Sequence, residues 1–239
     1  MDDLLTMVVD AHGGAVRWRR AAGIKVRFNF FGALLDLKGF PGRWQPTASI
    51  NLRQPRTVFE GFGPPGELWV FTPDRVWIEA PGGGITSERT APRSAFAGHV
   101  RETPWDALHL TYFVGYAMWN YVSAPFLFLE PGFRTRELEP HTESLETWRV
   151  LEVTYPPEVH AHTAVQTLYF DDEGMLKRLD YVTDVLGGVA AHYCYDPKVF
   201  AGLLMPTLRR VVRRTPEGPL LSGRTSFLLD YIAVDVIDA

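Results

Sequence analysis

The chain has 239 residues, 46% of them hydrophobic, a formal net charge of -4 and a pI near 6.0. That length and apolar content provide one large core, so the sequence reads as a single domain, 1–239, and not as a disordered or collagen-like chain. The mild negative charge offers no clustered positive field for nucleic acid or an anionic membrane.

The one cysteine, Cys194, has no internal partner for a disulfide. The opening "MDDLLTMVVD" carries acids where a secretory signal carries basic residues, and the expectation is a cytoplasmic protein. Leu4, Leu5, Val8, Val9 and His12 fall at helical spacing, which predicts an N-terminal helix within residues 1–22, loosened at Gly13-Gly14. The period then changes to two. In "IKVRFNF", Ile24, Val26, Phe28 and Phe30 alternate with Lys25, Arg27 and Asn29, a strand with one dry and one wet face. Further strands follow at short intervals, separated by the turn signals "GFPG", "RQP", "GPPG", "TPD" and "PGGG".

Residues 103–130 break this pattern, because between Asp106 and Glu130 no residue is charged if His109 is neutral. A membrane span needs about 20 apolar residues, but here the flanks are acidic and His109, Asn120 and Ser123 interrupt the run. A water-soluble helix over residues 104–124 is expected instead, with Thr103 as cap, Pro104 at the first helical position and Pro125 at the end. About 30 Å long and apolar round most of its circumference, it has to lie inside a shell.

Strands supply that shell. After the helix come "TWRVLEVTY", then "HTAVQTLYF" and "MLKRLDYVT" joined through Asp171 to Gly174, then "VAAHYCYD", "TLRRVVRR" and "RTSFLLDYIAVDVID". The expected fold class is α+β, with a large curved antiparallel sheet, a half-barrel, wrapped around apolar helices and holding an internal hydrophobic cavity.

The stretch "HTAVQTLYFDDEGMLKRLDY", followed by "GLLMPTLRR", resembles the C-terminal half of bacterial proteins with the lipoprotein-carrier fold, the group of the LolA and LolB carriers and mycobacterial LppX. The likeness is stronger to uncharacterised cytoplasmic relatives, in which a strand ending in Tyr-Phe-Asp turns through a Gly into an Arg-x-Asp-Tyr strand. It covers roughly residues 159–214. What it implies is an eleven-strand half-barrel around helices, with an apolar cavity that takes acyl chains in the carriers. The resemblance also includes a violacein-pathway enzyme that works without a cofactor, so it leaves binder and enzyme both open.

Several residues are candidates for chemistry. On the long helix His109, Tyr112, Tyr116, Asn120 and Ser123 recur every three or four positions and share a face, with Trp119 beside them; packing inside a core or lining a ligand pocket would both explain the stripe. Pairing Phe170 with Met175 sets Ala164 opposite Tyr181 and Gln166 opposite Leu179, so that His162, Gln166 and Tyr181 point the same way and Asp180 faces away near Arg178. His162, Tyr181 and His109 are the candidate acid–base groups. His160, His162 and His192 amount to a weak zinc pattern, and no metal or other cofactor is expected. Strand alternation divides Arg209, Arg210, Arg213 and Arg214 between two faces, and Cys194 reads as a buried inert thiol.

The leading expectation is binding of a small apolar or amphiphilic molecule in the half-barrel. The alternative is a cofactor-independent biosynthetic enzyme in the same cavity, catalysing proton transfer, cyclisation or rearrangement. A third reading is a filled interaction module that uses the Trp-containing strands at residues 68–79 as its interface. No nucleic-acid partner is expected, and a monomer and a homodimer are both open.

Overall fold

The structure, a computed structural model, describes residues 3–239. Six strands precede the long helix: β1 (Ala21–Phe31), β2 (Thr47–Asn51), β3 (Arg56–Glu60), β4 (Leu68–Phe71), β5 (Arg75–Glu79) and β6 (Ile85–Thr90). Eight follow it: β7 (Arg134–Glu143), β8 (Glu146–Thr154), β9 (Val165–Phe170), β10 (Leu176–Val182), β11 (Val189–Phe200), β12 (Leu203–Thr215), β13 (Gly218–Pro219) and β14 (Phe227–Asp238). They form one antiparallel sheet in the order β6-β5-β4-β3-β2-β1-β14-β12-β11-β10-β9-β8-β7, with β13 beside β12. Two meanders therefore meet at β1 and β14, where Val26 lies opposite Val234.

This is the expected α+β curved sheet, left open. Its two edges, β6 and β7, carry mostly exposed side chains with charged residues on each, which blunts edge-to-edge pairing. The resemblance implied eleven strands, whereas the sheet has fourteen among the described residues.

Four helices pack on the sheet: α1 (Asp3–Ala11), α2 (Gly14–Arg20), α3 (Ala33–Leu37) and α4 (Ala107–Ser123). The expected N-terminal helix is broken in two because Gly13 sits at φ +111°, where a Cβ would lie 2.1 Å from the Gly202 carbonyl oxygen. The central helix also starts later than expected. Asp106 caps it, its carboxylate accepting the His109 N–H at 2.8 Å, while Thr103 turns back to accept the Val100 N–H at 3.0 Å. Lys38 Nζ holds that preceding turn by donating to the Thr103 carbonyl at 2.8 Å, so residues 103–105 are tied off before the helix begins.

Nearly all of α4 is buried, and it lies on the concave face against β2 to β5. No helix among the described residues is long and apolar enough to cross a membrane. The closest approach is at Gly115, where a Cβ would lie 2.3 Å from the Phe71 side chain; Thr57 Oγ1 donates to the Gly115 carbonyl at 3.2 Å. Trp69 faces this core, buried, while Trp77 is only half-buried and binds Glu79 at 2.6 Å, so β4 and β5 are a wall of the half-barrel. A smaller apolar cluster, Trp148, Val150, Tyr169, Ala191, Tyr193 and Val212, is separate from this core. Beside it the buried Arg178 pairs with Asp180 and Glu143.

The hairpin of β9 and β10 differs in register from the expected one. Phe170 pairs with Leu176, and a bulge then sets Leu179 opposite Leu168 and Asp180 opposite Thr167. The total offset is two residues, so the faces are preserved. The strand expected from His162 begins only at Val165, and the preceding loop carries His160 and His162 inward over α4.

A side chain at position 115 has no room against Phe71. Gly115→Ala is expected to lower unfolding stability by about 2 kcal/mol despite its better helix propensity, because overpacking of this kind costs roughly 1–3 kcal/mol. Denaturant unfolding measures it, and an unchanged or raised midpoint would mean that the helix does not approach the sheet this closely.

Candidate functional site

The loop ahead of β9 brings His162 into the core, where it is 2% exposed. Its Nδ1 lies 3.0 Å from the Tyr116 hydroxyl and its Nε2 lies 2.8 Å from the Tyr121 hydroxyl. The neutral ring has one donor and one acceptor, so one hydroxyl donates to it and the other accepts from it. Tyr181 stacks on the same ring at 4.1 Å with planes 5° apart. Burial, aided by the charge of Arg93, lowers the His162 pKa to about 3, and burial raises those of Tyr116, Tyr121 and Tyr181. His162 is therefore neutral at physiological pH.

Two more polar residues of the concave face stand near this ring. His192 meets the Tyr121 ring edge-on at 4.8 Å, and burial lowers its pKa well below the usual value. Arg209, 2% exposed, donates to Cys194 Sγ at 3.2 Å and to the Tyr121 carbonyl at 3.3 Å, with its guanidinium 4.9 Å from the Tyr121 ring. No carboxylate lies within ion-pair distance of Arg209 among the described residues. Burial raises the Cys194 thiol pKa, which leaves it a poor nucleophile.

The helix stripe divides between several environments. The Tyr112 hydroxyl lies 3.0 Å from His160 Nδ1 and accepts from Arg93 at 3.2 Å. Asn120 Nδ2 donates to the Tyr116 and His160 carbonyls, both at 2.8 Å, while Asn120 Oδ1 and Ser123 Oγ are buried without a partner among the described residues. Trp119 turns the other way and donates to the Asn51 carbonyl at 2.9 Å. His109 stands in the first turn of α4, where its Nδ1 accepts the Asp106 N–H and its Nε2 lies 3.3 Å from the Ala95 carbonyl. It completes the helix cap, more than one turn before Tyr116, and is not part of the His162 cluster. Among the described residues no group of three His, Cys, Asp or Glu side chains converges on a point where a metal would sit.

The interior between α4 and the sheet is largely filled. Gln166, His162, Asn120, Tyr121 and Arg209 surround a space of about 20 Å³, room for about one water molecule. A second space, about 10 Å³, lies between α4 and Phe227. A cleft of about 120 Å³ opens at the end of the half-barrel, between the β10–β11 turn, β12 and the start of β14. Leu34, Phe113, Leu186, Val211 and Phe227 give it apolar walls, Tyr181 lines it, and Arg101, Arg213 and Arg214 also line it. The expected internal cavity is thus displaced to one edge, because α4 side chains occupy the middle.

Sequence reasoning missed Arg93, Tyr121 and the β10–β11 turn. Tyr121 lies off the 3–4 spacing of the stripe, and Arg93 sits in a short 3-10 helix, Pro92–Phe96, that no periodicity announces; its guanidinium bridges Tyr112, the Ala161 carbonyl and Asp184.

The His162 environment sets a pH dependence. Its folded pKa of about 3 is below the 6.5 of a free imidazole, so between these values the unfolded state binds more protons and stability falls as pH falls. Wild type should lose up to about 1.4 kcal/mol per pH unit from this group in that window. Unfolding measured from pH 7 to 4 should show a shallower slope for His162→Gln, and equal slopes would contradict a buried neutral imidazole.

No known protein-family profile and no curated protein sequence matches the chain. Solved structures do. A LolA superfamily protein from Nitrosomonas europaea superposes with a TM-score of 0.58 at 11% identity, over 97% of this chain and 93% of that one. A DUF1329 family protein from Desulfovibrio piger gives 0.55 at 10% identity, over 98% of this chain and 91% of that one. With likeness along nearly the whole chain and so little identity, what is shared is the architecture: this chain has the LolA-like fold.

Proposed function

We propose that the protein binds a small apolar or amphiphilic molecule in the cleft lined by Tyr181 and Phe113. One observation carries the reading. The cleft of about 120 Å³ opens between strand ends yet reaches Tyr181, which stacks on the buried His162, while the spaces farther in are of water size. A protein cavity of about 150 Å³ admits benzene, so this cleft suits one ring or a short run of methylenes. Its apolar walls with a few polar groups at one side are the usual make-up of a ligand site. The LolA-like fold supports the same reading through the acyl-binding cavity that the sequence resemblance implies. We place the protein in the cytoplasm as part of this proposal, and fractionation of the source cells is the check.

A cofactor-independent enzyme in the same cleft is the second reading. It is favoured by the position of Tyr181, at once a wall of the cleft and a stacking partner of His162. A histidine with a pKa near 3 is a weak base, however, and general acid–base work at neutral pH is best served by a pKa near 7. Binding is therefore the primary proposal, with His162, Gln166 and the tyrosines holding the wall in shape. Mass spectrometry of a bound compound before and after incubation separates the two, since only an enzyme returns it changed.

Gly188 lines the cleft, and a Cβ added there meets nothing within 4 Å. Gly188→Trp is expected to block the cleft and weaken binding of the neutral dye N-phenyl-1-naphthylamine about tenfold or more, with an unchanged circular dichroism spectrum. Undiminished dye binding by a folded Gly188→Trp variant would remove the cleft from consideration.

A further inference from the structure

The cleft is apolar where it meets the core and cationic where it meets solvent. Strand alternation puts Arg209, Val211 and Arg213 on the concave face, so that the row which begins with a buried guanidinium ends at the cleft with an exposed one. Arg213 and Arg101 are shared between the cleft and an adjoining depression of about 350 Å³, which Arg224, Leu37 and Leu220 also line. Arg224 in turn borders a further depression of about 430 Å³ that also contains Arg43.

The acidic groups nearby are few and mostly engaged. Asp180 binds Arg178 and Arg214, Asp184 binds Arg93, Glu102 lies 3.6 Å from Arg101, and Asp36 borders the outermost depression. Arg213 and Arg224 have no carboxylate within ion-pair distance among the described residues. In a chain of net charge -4, two guanidinium groups without counter-ions beside an apolar cleft form a local field that the composition hides.

We propose that this mouth selects a single-chain amphiphile with an anionic headgroup, a carboxylate or a phosphate, held by Arg213 and Arg224 with its chain end in the Tyr181 cleft. The inference rests on the binding reading above and adds the headgroup chemistry to it. Guanidinium forks bind carboxylate and phosphate oxygens through paired, charge-assisted hydrogen bonds, which a neutral headgroup cannot replace. The size of the cleft admits one chain end, and so favours one tail over two.

The test uses the full chain and three probes, decanoate, 1-decanol and inorganic phosphate, each competing with N-phenyl-1-naphthylamine or titrated in a calorimeter. Wild type is expected to bind decanoate about tenfold or more tighter than decanol at low ionic strength, the preference shrinking as salt screens the arginines. In the double variant Arg213→Gln/Arg224→Gln, whose positions are exposed, the ratio of decanoate to decanol affinity should fall about tenfold. An unchanged ratio in a folded double variant overturns the headgroup assignment while leaving amphiphile binding intact. Binding of phosphate alone as tight as that of decanoate overturns the role of the tail. If wild type binds neither decanoate, decanol nor the dye, the cleft reading itself fails.

Discussion

Burial of one uncharged helix governs this protein. α4 has no charged residue and almost no exposed surface, so it is stable only where a sheet curves round it, and the sheet can close on it only where a side chain is missing. Gly115 supplies that gap against Phe71. The consequences spread outward from there. Because the helix sits so close to β3 and β4, its tyrosines reach across the concave face, and the loop at residues 155–164 has to bring polar atoms to meet them. The half-barrel is thereby filled along most of its length and opens at one end, beside the β10–β11 turn.

A filled apolar interior makes each polar group in it matter. His162 is kept neutral by burial and held by two tyrosine hydroxyls and a stacked ring, which fixes Tyr181 at the edge of the cleft. Arg209 is the costly member, a buried guanidinium whose contacts include a thiol, a carbonyl and the face of Tyr121. These contacts tie β11 and β12 to the last turn of α4. A substitution at Arg209 would therefore act on the packing behind the cleft, which separates it in kind from Arg213, four residues on and at the surface. The same strand serves the core at one end and solvent at the other.

Much of the architecture was readable in the sequence, for reasons that can be named. Two-residue alternation in "IKVRFNF" and the turn signals between strands identified a meander, and an uncharged segment in a chain with no second one identified a helix that needs a cover. The pairing of β9 with β10 was expected two residues away from its actual register, yet the shared face of Gln166 and Tyr181 survived because side-chain direction repeats every two residues. The start of α4 was misplaced because Thr103-Pro104 is a good cap sequence; the observed cap at Asp106 depends on His109 reaching back and on Lys38, distant in sequence, holding residue 103. What the sequence lacked was any sign of the course of the loop ahead of β9. His160 and His162 are two residues apart in a weak zinc pattern, while the structure sends them to different tyrosines, Tyr112 and Tyr116. Nor does anything local distinguish Arg213 from Arg209, which shares its face; the difference lies in where the strand leaves the core.

In the binding we propose, the open volume at the end of the half-barrel, and not the filled space under α4, receives the ligand. Crystals grown with 10-bromodecanoate would decide it through the anomalous signal of bromine. The account predicts a bromine position beside Tyr181 and Phe113 with the carboxylate toward Arg213. Bromine located between α4 and β3, or only on the outer face of the sheet, would contradict it.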